Sequence, residues 1–243
     1  MTKTSTFLIT TIGAATLAAA PALAVEITGG DVSLSYSAFT EDTDLSRVAI
    51  EGSVEVGFTR AFSMQFDLAR YEFGFADDGV TTGTVHAIFH VSDVTSVGAF
   101  YGREDIDGTS LDLYGAEVGH EMGALDLEAY IGHGEEAGVS GTAFGLAADY
   151  NINDRFAIGV AYDRVDFDGD FNIHKTALRA SYAAADRFSV FGEVGSFGMG
   201  ADYYGVTLDA STNYVGFGVE YAFGAKRGAT FGERGLTRML PGL

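Results

Sequence analysis

Among 243 residues there is no Cys, no Trp and only 2 Pro. Without Cys the chain has no disulfide, no thiolate-ligated metal site and no thiol nucleophile. Basic residues are scarce: 14 Lys and Arg stand against 34 Asp and Glu, a formal charge of −20. That balance excludes a nucleic-acid partner, since phosphate backbones are bound by cationic surfaces. After residue 24 no apolar run is long enough to cross a membrane as a helix. Yet 47 % of the residues are hydrophobic, and 33 are Gly. The apolar residues are therefore dispersed, and their spacing carries the information.

The first 24 residues differ from the rest. Lys3 is followed by an apolar stretch over 7–20, too short to span a bilayer, and then by Ala22-Leu23-Ala24. A basic start, a short apolar core and an A-x-A exit predict a secretory signal that leaves Val25 as the mature N-terminus. The competing reading is an uncleaved anchor.

Spacing is clearest in residues 212–223, TNYVGFGVEYAF. Val215, Phe217, Val219, Tyr221 and Phe223 share one side of an extended chain; Tyr214, Gly216, Gly218, Glu220 and Ala222 share the other. Strands alternate faces at every residue, and a helix would mix these sets. The pattern recurs upstream: Val48, Ile50, Val54, Val56 and Phe58; Phe62, Met64, Phe66 and Leu68; Phe144, Leu146, Ala148, Tyr150 and Ile152; Phe156, Ile158, Val160 and Tyr162. Tight turns are expected at Thr59-Arg60-Ala61, Ser92-Asp93, Met122-Gly123, Asn153-Asp154 and Asp186, about 30 to 32 residues apart. Strands of about ten residues joined by a tight turn and a longer loop give such a beat.

Between the turns lie acidic, Gly-rich connections, the last running from Gly198 to Asp209. Five turns and six loops predict twelve strands at 31–39, 46–58, 62–75, 83–91, 94–103, 110–121, 124–134, 142–152, 155–166, 172–183, 187–197 and 212–223. The fifth, sixth and tenth alternate weakly, which leaves ten strands as the alternative count. The fold class expected is all-β: one antiparallel up-and-down transmembrane barrel over 25–223, with short periplasmic turns and longer extracellular loops. Residues 224–243 lack alternation and carry Lys226, Arg227, Arg234 and Arg238 against Glu233. A basic, mobile periplasmic tail is expected there. The barrel itself holds nine basic residues against 33 acidic ones.

On these residues the chain resembles Gram-negative outer-membrane β-barrels, and is most similar to small porin-like proteins. The closing strand carries the most specific match: glycines, alternating apolar residues and the terminal aromatic at Val219, Tyr221 and Phe223. In that family this strand is the signal read by the barrel insertion machinery; here a 20-residue tail follows it. The resemblance implies a place in the cell outer membrane among lipid and lipopolysaccharide, small solutes as cargo, no cofactor, and room for a homo-oligomer.

If the apolar set faces lipid, the lumen receives Glu51, Ser53, Glu55, Ser63, Gln65, Asp67, Glu117, Asp126, Glu128, Asp149, Asp163, Glu193 and Glu220, with Lys175 and Arg179 as its main cations. Pore-lining candidates are Glu51, Glu55, Asp67, Glu117, Glu128, Asp163, Lys175, Arg179, Glu193 and Glu220. Acidic walls in a narrow, low-dielectric channel favour cations. The opposing reading pairs acids with bases, such as Arg179 with Glu193, and plugs the lumen. Twelve strands lie between side-chain-filled eight-stranded barrels and open sixteen-stranded ones.

Metal and catalytic signals are weak. Asp166, Asp168 and Asp170 suit a divalent cation but lack the later Glu of a calcium loop. No Ser stands in a G-x-S-x-G elbow, and His86 and His90 are spaced about 13 Å apart along a strand. The expected function is a porin-like channel for passive diffusion of small hydrophilic solutes, with a cation preference and no enzymatic chemistry. The alternatives are a non-conducting structural or surface-interaction barrel and a lipid-active barrel enzyme using one Ser and one His.

Overall fold

In a computed structural model the chain forms a closed antiparallel barrel of twelve strands. The structure describes residues 25–76, 79–106, 108–136, 138–169, 171–203, 206–224 and 229–241. The expected signal segment, Lys226, Arg227 and Asp170 lie outside them. The strands are β1 (Glu26–Phe39), β2 (Ser46–Gly57), β3 (Phe62–Phe73), β4 (Val80–Ser92), β5 (Thr95–Ile106), β6 (Thr109–Met122), β7 (Leu125–Glu136), β8 (Val139–Asn151), β9 (Phe156–Phe167), β10 (Phe171–Ala185), β11 (Phe188–Tyr203) and β12 (Val206–Phe223). Each pairs with its sequence neighbours, and β12 closes on β1 from Gly30↔Phe223 to Phe39↔Tyr214. Closure leaves no unpaired strand edge, which a bilayer would not tolerate.

Alternation sets which way each side chain points. Leu34, Ile50, Leu68, Ile131, Leu146, Val160, Leu178 and Phe217 stand exposed on the outside, Phe217 at 64 %. Water would penalise such a belt by roughly 25 cal/mol per Å² of apolar surface, whereas acyl chains accept it. The aromatics leaving three short turns, Phe62, Phe156 and Phe188, also point outward.

Two features of the walls depart from the expected pattern. The long connections are mostly strand. Gly198 to Asp209 was expected as a loop, but β11 and β12 stay paired from Gly198↔Ser211 to Tyr203↔Val206. Similarly, β5 and β6 pair out to Ile106↔Thr109. Glycines with left-handed φ, Gly108 at 79° and Gly138 at 84°, allow the β5–β6 and β7–β8 hairpins to close tightly. A longer loop remains at 40–45.

The lumen is also partly apolar. Ile88, Phe100, Leu111, Leu113, Val165, Ile173 and Phe197 are buried inside. Several inward rings lie over a glycine on the paired strand: Phe100 opposite Gly115, Tyr130 opposite Gly145 and Tyr214 opposite Gly195. A Cβ at any of those glycines would overlap the ring. Glycine here provides space for rings that fill the barrel.

Candidate functional site

What enters the lumen is the chain's own C-terminal segment. A periplasmic tail was expected; that is corrected for residues 229–241, which run inside the barrel from the short-turn end towards the opposite rim. The segment carries charges of its own, and acids on the wall neutralise them where water is excluded.

At the entry, the backbone N–H and hydroxyl of Thr230 donate to Glu55 at 3.0 and 2.6 Å. Gln65 then clasps Phe231, accepting from its N–H at 3.1 Å and donating to its carbonyl at 2.6 Å. The Phe231 ring stacks on His86, centroids 6.3 Å apart. Gly98 and Gly119 leave the floor open for it, because a side chain on either would crowd the ring. His86 bridges two wall acids, with Nε2 2.8 Å from Asp67 and Nδ1 2.7 Å from Glu117.

Arg234 lies at the centre and is 2 % exposed. Its Nε donates to Glu117 at 3.1 Å, its Nη2 lies 2.9 Å from the same carboxylate, and Nη2 also donates to Glu128. The guanidinium lies over Tyr130 at 4.4 Å, with Phe100 at 5.7 Å. Beside it, Glu233 accepts from the Tyr71 hydroxyl at 2.7 Å, and Glu51 lies 3.0 Å from the same hydroxyl.

Further up, Glu104 accepts from the Thr237 N–H at 3.0 Å and from the Thr82 hydroxyl at 3.2 Å. Arg47 donates to the carbonyls of Thr237 and Arg238 at 3.0 and 3.2 Å, satisfying the end of the 3-10 turn Thr237–Met239. Arg238 pairs with Asp163 at 2.8 Å, and Asp163 also accepts from Tyr130 at 2.9 Å. Met239 then packs among Phe39, Val165, Ile173, Phe197 and Tyr214, flanked by Leu236 and Leu240. The Ser37 hydroxyl donates to the Pro241 carbonyl.

The ten pore-lining candidates thus fall into two groups. Glu55, Glu117, Glu128 and Asp163 contact the tail directly; Glu51 and Asp67 are one hydrogen bond removed from it. Lys175, Arg179, Glu193 and Glu220 pair along the wall instead. Arg179 stands opposite Glu193 in register, yet its guanidinium donates to Glu220 at 3.1 Å and lies over Phe191. Lys175 lies 3.5 Å from Glu193, which also accepts from Tyr214 at 2.7 Å.

Residues that sequence reasoning passed over are Arg47, Tyr71, Glu104, Tyr130 and both tail arginines. The signal available for the arginines was charge: a basic segment attached to a strongly acidic barrel.

The remaining sequence candidates are not brought together. Asp166 is engaged by Arg164, and Asp168 accepts from the Ser140 hydroxyl. Among the described residues no three His, Cys, Asp or Glu cluster as metal ligands. Ser63 and His90 do meet, at 2.9 Å, but His90 Nδ1 lies 2.8 Å from the Ser96 hydroxyl rather than a carboxylate. Ser63 faces the lumen and is 1 % exposed, so no acyl chain in the bilayer reaches it. Of the closing-strand residues, Val219 and Tyr221 face outward and Phe223 packs at the β1–β12 seam against Gly30.

The fold and the outer belt define a closed twelve-stranded β-barrel with an apolar outside, the architecture of transmembrane barrels. Neither a protein-family model nor a curated protein sequence matches the chain. Among solved structures, it is similar to the KdgM porin at TM-score 0.60 and 12 % identity, covering 79 % of this chain and 99 % of that one. The NanC porin matches at TM-score 0.58 and 11 % identity, covering 79 % and 98 %. KdgM in complex with disordered oligogalacturonate matches at TM-score 0.54 and 15 % identity, covering 81 % and 99 %. At these identities the likeness is one of fold.

Proposed function

We propose that this protein is an outer-membrane channel for passive diffusion of small hydrophilic solutes, cation-preferring, in which the C-terminal segment narrows the path. The observation that carries this is the acidic inner wall of a closed barrel with an apolar outside. Glu51, Glu55, Asp67, Glu117, Glu128 and Asp163 are more acids than the two tail arginines neutralise. A low-dielectric wall focuses that residual field on passing ions. KdgM has been captured with an oligogalacturonate, an acidic sugar; an acid-lined lumen argues against cargo of that charge here. No residue is assigned covalent chemistry. Export by the N-terminal signal, recognition of the closing strand by insertion machinery, and contact with lipopolysaccharide belong to the same proposal, and a homo-oligomer is compatible with it.

Planar-bilayer recording in a salt gradient tests the reading. The expected result is a measurable conductance with a reversal potential of cation-selective sign. Anion preference rejects the selectivity, and no conductance rejects the channel. The second reading, a non-conducting barrel, draws support from the tail, which crosses from Glu104 on β5 to the cluster around Met239. Liposome swelling with small sugars separates the two, because only a pore swells the vesicles.

A further inference from the structure

We propose that the acid and aromatic side chains around Arg234 form a guanidinium-binding site of the lumen, filled in this state by the chain's own C-terminal segment and available to guanidinium-bearing solutes when that segment withdraws. For its solutes the inference rests on the channel reading; the site itself stands on the geometry alone.

The ligand on the page is a guanidinium, and the cage suits that group's shape as well as its charge. Glu117 meets two of its nitrogens, at 3.1 Å from Nε and 2.9 Å from Nη2, while Glu128 takes a donor from Nη2. The Tyr130 ring covers a face of the plane at 4.4 Å. A guanidinium is planar, weakly hydrated and forked, so it stacks and donates to both acids at once. An ammonium ion of equal charge is compact and strongly hydrated, and it loses more on leaving water.

Of the cage members, Glu117 and Tyr130 are also held by the wall, whereas Glu128, on β7, bonds to the tail at Arg234 and at the Gly232 N–H. Glu117 accepts a second contact from His86, which Asp67 holds in turn. Tyr130 is fixed through its hydroxyl to Asp163 and seated over Gly145. Glu117 and Tyr130 are direct partners across β6 and β7. A site organised by barrel strands outlasts removal of its occupant. The occupant, by contrast, follows the end of β12 and belongs to no strand of the barrel.

Chemical rescue tests the site in the full-length protein. Arg234→Ala is purified in detergent micelles and its thermal unfolding followed with added ethylguanidinium or ethylammonium at equal ionic strength. The expected result is a lowered Tm, most of which ethylguanidinium restores and ethylammonium does not. Adding Glu117→Gln and Glu128→Gln to the same variant abolishes the rescue. Equal rescue by both cations, or none by either, overturns the proposal. If Arg234→Ala does not fold, the wild-type protein decides through trypsin cleavage after Arg234, read by mass spectrometry. Ethylguanidinium is expected to expose that bond several-fold more than ethylammonium, and equal exposure rejects the site. Neither readout needs conduction: rescue without conductance keeps the site and rejects the channel, and conductance without rescue does the reverse.

Discussion

Arg234 Nη2 lies 2.9 Å from Glu117 Oε2, with the two side chains 1 % and 0 % exposed. The pair joins the segment after the last strand to the middle of the sixth. Two charges so placed have lost their water, and only their mutual contacts offset that loss.

Removing one partner therefore costs far more than removing a surface pair. Glu117→Gln leaves Arg234 with Glu128 and weakens the contact to His86, and the expected destabilisation is about 3–5 kcal/mol. Arg70→Gln breaks the exposed pair with Glu72 at 2.7 Å, and the expected cost is below about 1 kcal/mol. Urea unfolding of both variants in lipid vesicles checks the contrast.

Displacing the tail should widen the path. A Cβ at Gly235 would overlap Glu104 Oε1, and Glu104 cannot retreat without releasing Thr237 and Thr82. Gly235→Val is expected to unseat the segment and raise single-channel conductance several-fold. At Gly232 the nearest atoms to an added Cβ lie at 3.6 and 3.7 Å. Gly232→Ala is thus the control, expected to conduct like the wild type.

The outer belt predicts a lipid-dependent cost. Leu178 is 55 % exposed on the outside of β10. In water an exposed Leu→Arg change would be nearly neutral. Near mid-membrane, Leu178→Arg is expected to destabilise the barrel by about 2–4 kcal/mol. Unfolding measured in vesicles reads the difference.

Selectivity should respond to the wall pairs that the tail leaves alone. Arg179 and Glu220 are each about one-third exposed and 3.1 Å apart. Glu220→Gln removes one acid from the lumen while the Arg179 charge stays, so the reversal potential is expected to move towards weaker cation preference. The shift should shrink as salt rises, since the Debye length falls from about 10 Å at 0.1 M to about 3 Å at 1 M.

Much of the barrel was legible in the chain. The outward positions of Val215, Phe217, Val219 and Tyr221 and the inward Glu220 follow from a two-residue period, and the twelve strands in their order from the beat of short turns and longer connections. Where that period fades, the reason is physical. On β6, Leu111 and Leu113 point inward and Tyr114 and Val118 outward, so both faces are apolar and alternation has no contrast to report. The inward apolar residues pack within the lumen, where Met239 joins Val165 and Ile173, and no local pattern announces that contact. The hairpin through Gly198 and Asp209 was missed because its glycines and acids resemble a loop until their backbone groups are seen paired.

By itself the sequence determined the strand pattern, the facing of side chains wherever the two-residue period has contrast, and an acidic interior, because these depend on neighbours one or two positions apart. Only the tertiary structure decided what occupies that interior. Arg47 meets the tail across 190 residues and Asp163 across 75. Such contacts exist only once closure has brought strands from both halves of the chain around a common axis. The tail's positive charge then meets the acids that closure has gathered and sheltered from water.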